Sequence, residues 1–341
     1  MKIVNLHSHT EFSNMSTGFI DSSNKLEKML DFVYERGDGG VGITDHETVT
    51  GHLRAFDWWQ NKIDKAETEE EKEKAKNFKV ILGNEIYIAR EGLNSENHQS
   101  GENFFHFLLL ARDQVGQAQL RELSTMAWEK SYMKSVMRRF NYMSELKQVI
   151  GSNQGHVAAT TACIANMAGY AFLNLPKEQA IAAVEDYMNQ LIDIFGEENL
   201  FVEISPSLYP EQIEYNKFMY EKYKDTLPFV ITNDAHYLTK DDFRTLDLLM
   251  GENREIEKYY KYAYFMEWEE IVKNLNYLPL EFVEGAAQNA LDFAATTDIY
   301  NLKNPQEIPI VPHDEYKPEE TLLKEARTYE FIAKFLDSEH E

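Results

Sequence analysis

Residues 2–10 read KIVNLHSHT, a short apolar run that ends in two histidines separated by one residue. Side chains of an extended chain alternate between two faces, so His7 and His9 point the same way and bring two imidazoles to one place. Such a pair at a strand end is suited to hold a metal ion. The same pattern returns far along the chain, where PFVITNDAH (228–236) sets Asp234 and His236 two apart just beyond an apolar run. Between these ends lie GGVGIT (39–44), KVILGN (79–84), FFHFLLLA (104–111), HVAATT (156–161) and LFVEIS (200–205). Seven runs of this length and character read as buried strands.

The segments between the runs have helical spacing. Ser22 and Ser23, after Asp21, are placed to cap a helix whose Leu26, Met29, Leu30 and Val33 share one face before Gly37 ends it. Pro176 opens another, with Ile181, Val184, Met188, Leu191 and Phe195 in a stripe closed by Gly196. Alternating strands and helices predict a barrel-like or doubly wound α/β fold. The charged stretch KIDKAETEEEKEKAK (62–76) reads as a solvated helix face. The polar loop EGLNSENHQSGEN (91–103) is long enough to overhang a site. After about residue 239 helical segments dominate, so residues 1–275 are expected to form the main domain and 276–341 a separate appendage.

The chain has 341 residues, 43% of them hydrophobic, enough for one large domain with or without a small one. Its 58 acidic against 34 basic residues leave a net charge of −24, which argues against a surface that coats nucleic acid non-specifically. Any nucleic acid would be held locally or by a partner chain. The single cysteine, Cys163, cannot form an intramolecular disulfide; it serves as a thiolate ligand or nucleophile, or as a small core residue. No apolar stretch is long enough to span a membrane and the start carries no leader, so a cytoplasmic protein is expected.

Other candidate ligands sit at the ends of the strand runs. Asp45 and His46 follow GVGIT; being adjacent they face opposite ways, so one of them is a direct ligand. Glu85 follows KVILGN and Cys163 follows HVAATTA. In parallel barrels the carboxyl ends of the strands gather on the rim where chemistry is done. His106 lies near the start of its run, and that rule does not place it there. Histidines with carboxylates and a thiol suit Zn, Mn or Fe better than Mg or Ca. Neither G-x-x-x-x-G-K-[ST] nor G-x-G-x-x-G nor G-x-S-x-G occurs, which removes the main support for kinase, dehydrogenase and serine-hydrolase readings. Metal-activated water is the economical chemistry that remains.

In this order, NLHSHTEFS, GITDHETVTGH, GNEIY, HFLLLARD, TTAC and FVITNDAHYL resemble the successive motifs of the PHP (polymerase and histidinol phosphatase) domain, in the version at the amino terminus of bacterial DNA polymerase III alpha subunits. The resemblance implies a distorted seven-stranded β/α, TIM-like barrel with a small helical C-terminal appendage. It implies three divalent transition-metal ions (Zn, Mn or Fe) held by His7, His9, Asp21, His46, Glu85, His106, Cys163, Asp234 and His236. Asp21 takes its place when FID (19–21) is aligned with the family's aspartate; a gapless alignment puts Ser16 there instead.

The implied reaction is hydrolysis of a phosphate ester, with Glu85 as a bridging carboxylate and His106 and His236 able to protonate the leaving oxygen. Arg112, Arg138 and Arg139 are candidates to steady the substrate phosphate. The family points to proofreading at a DNA 3′ end. The acidic charge suits a small phosphate ester of histidinol-phosphate or nucleotide type better, and a silent, metal-stabilised polymerase scaffold is the third reading. No D-x-D pair follows residue 239, so the expectation is a piece of a split polymerase, as in some phage systems, or a stand-alone relative. The segment opened by Pro318 places Leu322, Ala326, Tyr329, Ala333 and Leu336 in one stripe, suited either to fold back on the barrel or the 281–300 helix or to bind a separately encoded polymerase fragment.

Overall fold

Each of the seven apolar runs is a strand in the computed structural model, which describes residues 1–17, 20–90, 104–133, 138–251, 260–298, 300–303 and 318–329. They are β1 (Val4–Asn5), β2 (Gly40–Ile43), β3 (Lys79–Ala89), β4 (Phe104–Ala111), β5 (Val157–Thr160), β6 (Leu200–Ile204) and β7 (Phe229–Ile231). The sheet order is β1 to β7 in sequence. Beyond the ends of β1 and β7, Ser8 and Ala235 pair in a parallel bridge that brings the two edges together. With helices around it, the result is the distorted TIM-like α/β barrel.

One strand runs against the others. β4 is antiparallel to both β3 and β5, whereas the remaining ladders are parallel. The amino end of β4 therefore lies beside the carboxyl end of β3, where Tyr87 pairs with His106. This accounts for His106, which strand-end reasoning could not place on the rim.

Alternation along the strands builds the interior in layers. Val4, Ile81, Leu108, Leu110, Ala158, Phe201 and Val230 belong to one buried cluster, to which the helix Leu280–Thr296 adds Ala290, Phe293 and Ala294. The opposite faces, such as Phe107, Leu109, Ala159, Val202 and Ile231, pack in a second cluster with the surrounding helices. Further along the inward face come Thr160, Glu203 and Thr232, two residues beyond Ala158, Phe201 and Val230, and Glu85, four beyond Ile81, all buried. A polar layer thus sits on an apolar floor.

That floor explains a shift in the domain boundary expected at 275/276. The helix Leu280–Thr296 packs on the barrel strands, and the compact unit continues to Leu302, leaving Lys303–Glu341 as a second unit. In the second unit the helix runs Pro318–Ala326, so Tyr329 falls outside it; Leu322 and Tyr329 are exposed. Ala333 and Leu336 lie outside the described residues, as does the loop 91–103. No helix among the described residues is long and apolar enough to cross a membrane.

The helix Leu26–Arg36 buries Leu26, Met29, Leu30 and Val33 and ends at Gly37 in the left-handed region. Each such burial is worth about 1.5–3 kcal/mol. Its cap differs from expectation. Lys25 stands at the N-cap without a side-chain bond, and the Ser22 hydroxyl instead donates to the carbonyls of His9 and His236, tying together two loops of the rim. The helix Lys177–Phe195 follows Pro176 and ends at Gly196 as expected.

His52, at the start of the helix His52–Asp64, is buried with Nε2 donating to the Gly83 carbonyl 2.8 Å away. Burial pushes its pKa down from 6.5 to about 4. A depressed folded-state value means that the unfolded chain binds the proton first, so stability present above pH 6.5 is lost as pH falls towards 4. The loss should be on the order of 3 kcal/mol. Denaturant unfolding at pH 7.5 and pH 5 should show His52→Gln losing clearly less stability than the parent over that interval; equal losses would remove His52 as the cause.

Candidate metal centre

The rim loops that follow β1, β2 and β7 bring five imidazoles and three carboxylates together with the ends of β3 and β4. His7 Nε2 and His9 Nε2 are 3.1 Å apart, and Asp234 Oδ1 lies 3.2 and 3.1 Å from them. Glu85 is central. Its Oε1 is 3.4 Å from His7 Nε2 and 2.8 Å from His106 Nδ1, and its Oε2 is 3.2 Å from His9 Nε2 and 2.8 Å from His46 Nδ1. Asp21 Oδ2 lies 3.1 Å from both His46 Nε2 and His236 Nε2. Cys163 Sγ is 3.6 Å from His106 Nδ1.

The donors fall into three overlapping groups, each with its atoms within 4.8 Å of one another: His9, Asp21, His46 and His236; His7, His9 and Glu85; and His46, Glu85 and His106. The groups share His9, His46 and Glu85. All these side chains except the half-buried His106 are buried.

Such a cluster has a problem that a cation solves. Glu85 Oε2 and Asp234 Oδ1 are buried yet make no well-formed hydrogen bond, although imidazole nitrogens stand about 3 Å away. Unsatisfied buried oxygens are costly. The imidazoles respond to the negative charge: burial alone would lower their pKa values, but the carboxylates outweigh it. His7 is held well above its ordinary value by Asp234, Glu203 and Glu85, and His46 is pushed up to about 9 by Glu85 and Asp21. Histidine and carboxylate donors converging in this way fit divalent metal ions.

Strain is stored at the same rim. Glu47, Ala162 and Asp234 are the non-glycine residues with positive φ, at 50°, 57° and 47°, among the described residues. One follows His46, one precedes Cys163 and one is itself in the centre. Each costs on the order of 1–3 kcal/mol and persists where the surroundings over-determine it.

A family model for the PHP domain matches residues 5–207, more than half of the chain. The chain belongs to the PHP domain family. Over 99% of its length it is 28% identical to the probable DNA polymerase YorL of Bacillus subtilis strain 168 and, equally, to a DNA-directed DNA polymerase of Bacillus phage SPbeta, covering 27% of each. The DNA polymerase III alpha subunit of Aquifex aeolicus is 28% identical over 73% of this chain and 19% of its own length. The chain thus spans about a quarter of the length of the curated relatives it matches first.

In this PHP domain the adjacent pair Asp45 and His46 divides its work. His46 faces the cluster, while Asp45 Oδ1 accepts from the Thr10 and Ser13 backbone amides at 2.6 and 3.2 Å and so braces the first rim loop. Asp21 reaches the centre because Asn14 folds its loop: Asn14 Oδ1 accepts from the amides of Asp21 and Ser22 at 2.7 and 2.9 Å. The Ser16 side chain lies outside those described.

The arginines separate. Arg112 follows the far end of antiparallel β4, where its Nε donates to Asn199 Oδ1 and its guanidinium lies 4.7 Å over the Phe293 ring, at the floor of the barrel. The reversal that brings His106 to the rim carries Arg112 away from it, so Arg112 cannot steady a phosphate there. Arg138 lies 4.5 Å over the Tyr87 ring, which stacks on His46 at 5.4 Å. Arg139 lies 4.0 Å over Trp128, whose indole N–H donates to the Glu47 carbonyl.

Sequence reasoning missed Glu203, in the middle of the run LFVEIS. Its Oε1 is 2.9 Å from His7 Nδ1, and the Thr160 and Thr232 hydroxyls donate to its two oxygens. A carboxylate inside an apolar strand run was the available signal. By holding the His7 Nδ1 proton it leaves Nε2 free to face the cluster. Glu203→Gln is expected to weaken divalent-metal binding about 10–100-fold. Calorimetric titration of metal-free protein reads this, and unchanged affinity would show that the pairing does not tune the centre.

Proposed function

We propose that this PHP domain is a metal-dependent phosphoesterase that removes nucleotides from a DNA 3′ end in the service of a DNA polymerase. The observation that carries the reading is the set of three overlapping donor groups on the barrel rim, two of which share Glu85. Three divalent transition-metal ions, Zn, Mn or Fe, would be held among His7, His9, Asp21, His46, Glu85, His106 and His236, each imidazole serving one ion, with Asp234 and Cys163 beside them. Bound divalent cations supply Lewis acidity and a water acidified to about neutral pKa.

The protein's own groups divide the remaining work. Glu85, with one oxygen toward His7 and His106 and the other toward His9 and His46, sets the spacing of the centre. His236 has Nδ1 2.8 Å from the carbonyl of Asp234, two residues before it, and Nε2 on Asp21, so it suits a ligand and not a proton donor. His106 is 21% exposed at its side chain and engages Glu85 through Nδ1 alone, which suits it to hand a proton to the leaving oxygen. Arg138 and Arg139, stacked at the rim, would face the substrate phosphates. The names of the relatives support DNA as substrate and a DNA polymerase as partner.

The net charge of −24 favours a second reading, a phosphatase for small phosphate esters, which needs no extended basic track. Incubation of the manganese-loaded protein with single-stranded DNA labelled at its 5′ end, and separately with p-nitrophenyl phosphate, decides between them. The proposal expects stepwise shortening from the 3′ end that stops on chelation. Hydrolysis of the small ester alone would replace it with the phosphatase, and metal binding without hydrolysis would leave a scaffold.

A further inference from the structure

Asp21 offers one carboxylate oxygen, Oδ2, to His46 and His236; the other, Oδ1, accepts a hydrogen bond from the Tyr260 hydroxyl at 2.8 Å. The Tyr260 ring stands edge-on to His236, with centroids 4.8 Å apart and planes at 84°. One side chain therefore touches two of the four donors in the group His9, Asp21, His46 and His236.

Tyr260 is itself fixed. Its carbonyl accepts from the hydroxyl of the fully buried Tyr237 at 2.9 Å and from the Ala263 amide at 3.0 Å. The Tyr237 hydroxyl also lies 2.8 Å from the Lys261 carbonyl, and the His236 amide donates to the Ala263 carbonyl at 2.8 Å. Residues 260–263 are thus stapled to the stretch that supplies Asp234 and His236. They lie beyond the matched span 5–207.

A carboxylate turns easily about its last torsion, so an Asp on a long loop could present either oxygen at a range of tilts. A donor on one oxygen removes that freedom. We infer that Tyr260 is a positioning residue of the metal centre, one that turns Oδ2 of Asp21 inward and thereby sets the cation affinity of the group containing His9, His46 and His236. The inference rests on the metal-centre reading above.

The test is a titration of the full chain, stripped of metal, with Mn²⁺, comparing the parent, Tyr260→Phe, Asp21→Asn and the double variant. Tyr260→Phe should weaken one class of Mn²⁺ site about tenfold or more, the scale of other residues that orient a ligand. Its melting temperature in excess chelator should match the parent's. In the Asp21→Asn background the same change should have no further effect. Unchanged affinity, additive losses in the double variant, or a melting temperature lowered equally with and without metal would each overturn the inference. A parent chain that binds no Mn²⁺ would overturn the metal centre itself, a different failure from metal bound equally well without the hydroxyl.

Discussion

Glu85→Gln is expected to lower phosphoester hydrolysis by about 10⁴-fold or more while leaving the chain folded, the scale of loss when one member of an interdependent catalytic set is removed. Each Glu85 oxygen serves two imidazoles: Oε1 faces His7 and His106, and Oε2 faces His9 and His46. An amide presents one acceptor and one donor. Its NH₂ would point at two nitrogens that must stay free to bind a cation, and two of the three donor groups would be spoiled together. The neighbouring strand register, in which Glu85 pairs with Leu108, depends on backbone bonds that the substitution leaves intact. Steady-state rates with the manganese-loaded variant, beside its far-ultraviolet circular dichroism, make the measurement. A folded variant with more than about a tenth of the parent rate would remove Glu85 from its central role.

Removing three metal ions should cost the protein roughly 25 °C of melting temperature at pH 8, about 8 °C for each site. A ligand at a thousandfold excess over its Kd contributes about 4 kcal/mol per site, and a domain of this size moves by about 2 °C per kcal/mol. Asp21, Glu85, Asp234 and Glu203 would otherwise share one buried region, neutralised by protonated histidines alone. The dependence on pH has a definite sign. Ligands must shed protons to bind a cation. Burial lowers the His46 pKa, but Glu85 and Asp21 outweigh it and raise it to about 9 in the metal-free centre. Protons therefore compete increasingly as pH falls, and the drop in melting temperature on chelation should be smaller at pH 6 than at pH 8. Differential scanning fluorimetry with and without chelator at the two values reads both effects. Equal melting temperatures with and without chelator at pH 8 would mean that the centre does not hold metal in the folded protein.

The strands and the residues at their ends were legible for a local reason. Burial on a pleated strand is written as alternation over a few residues, and an H-x-H or D-x-H at the end of such a run points to one face whatever the rest of the chain does. The stripe of Leu26, Met29, Leu30 and Val33 was readable in the same way, whereas its cap was not. Ser22 had a choice between the helix amides and the carbonyls of His9 and His236, and the closing of two rim loops decided it.

By itself, then, the sequence determined the seven strands, their alternation with helices, and the pairs His7 with His9 and Asp234 with His236 as candidates for one centre. Tertiary structure alone decided the direction of β4, because hydrophobic alternation reads the same forwards and backwards; that direction put His106 on the rim and Arg112 at the floor. It also decided the partners of Glu203 and Tyr260. Glu203 meets His7 across 196 positions and Tyr260 meets Asp21 across 239, and a hydrogen bond over such separations depends on how the ring closes, which no local pattern of residues records.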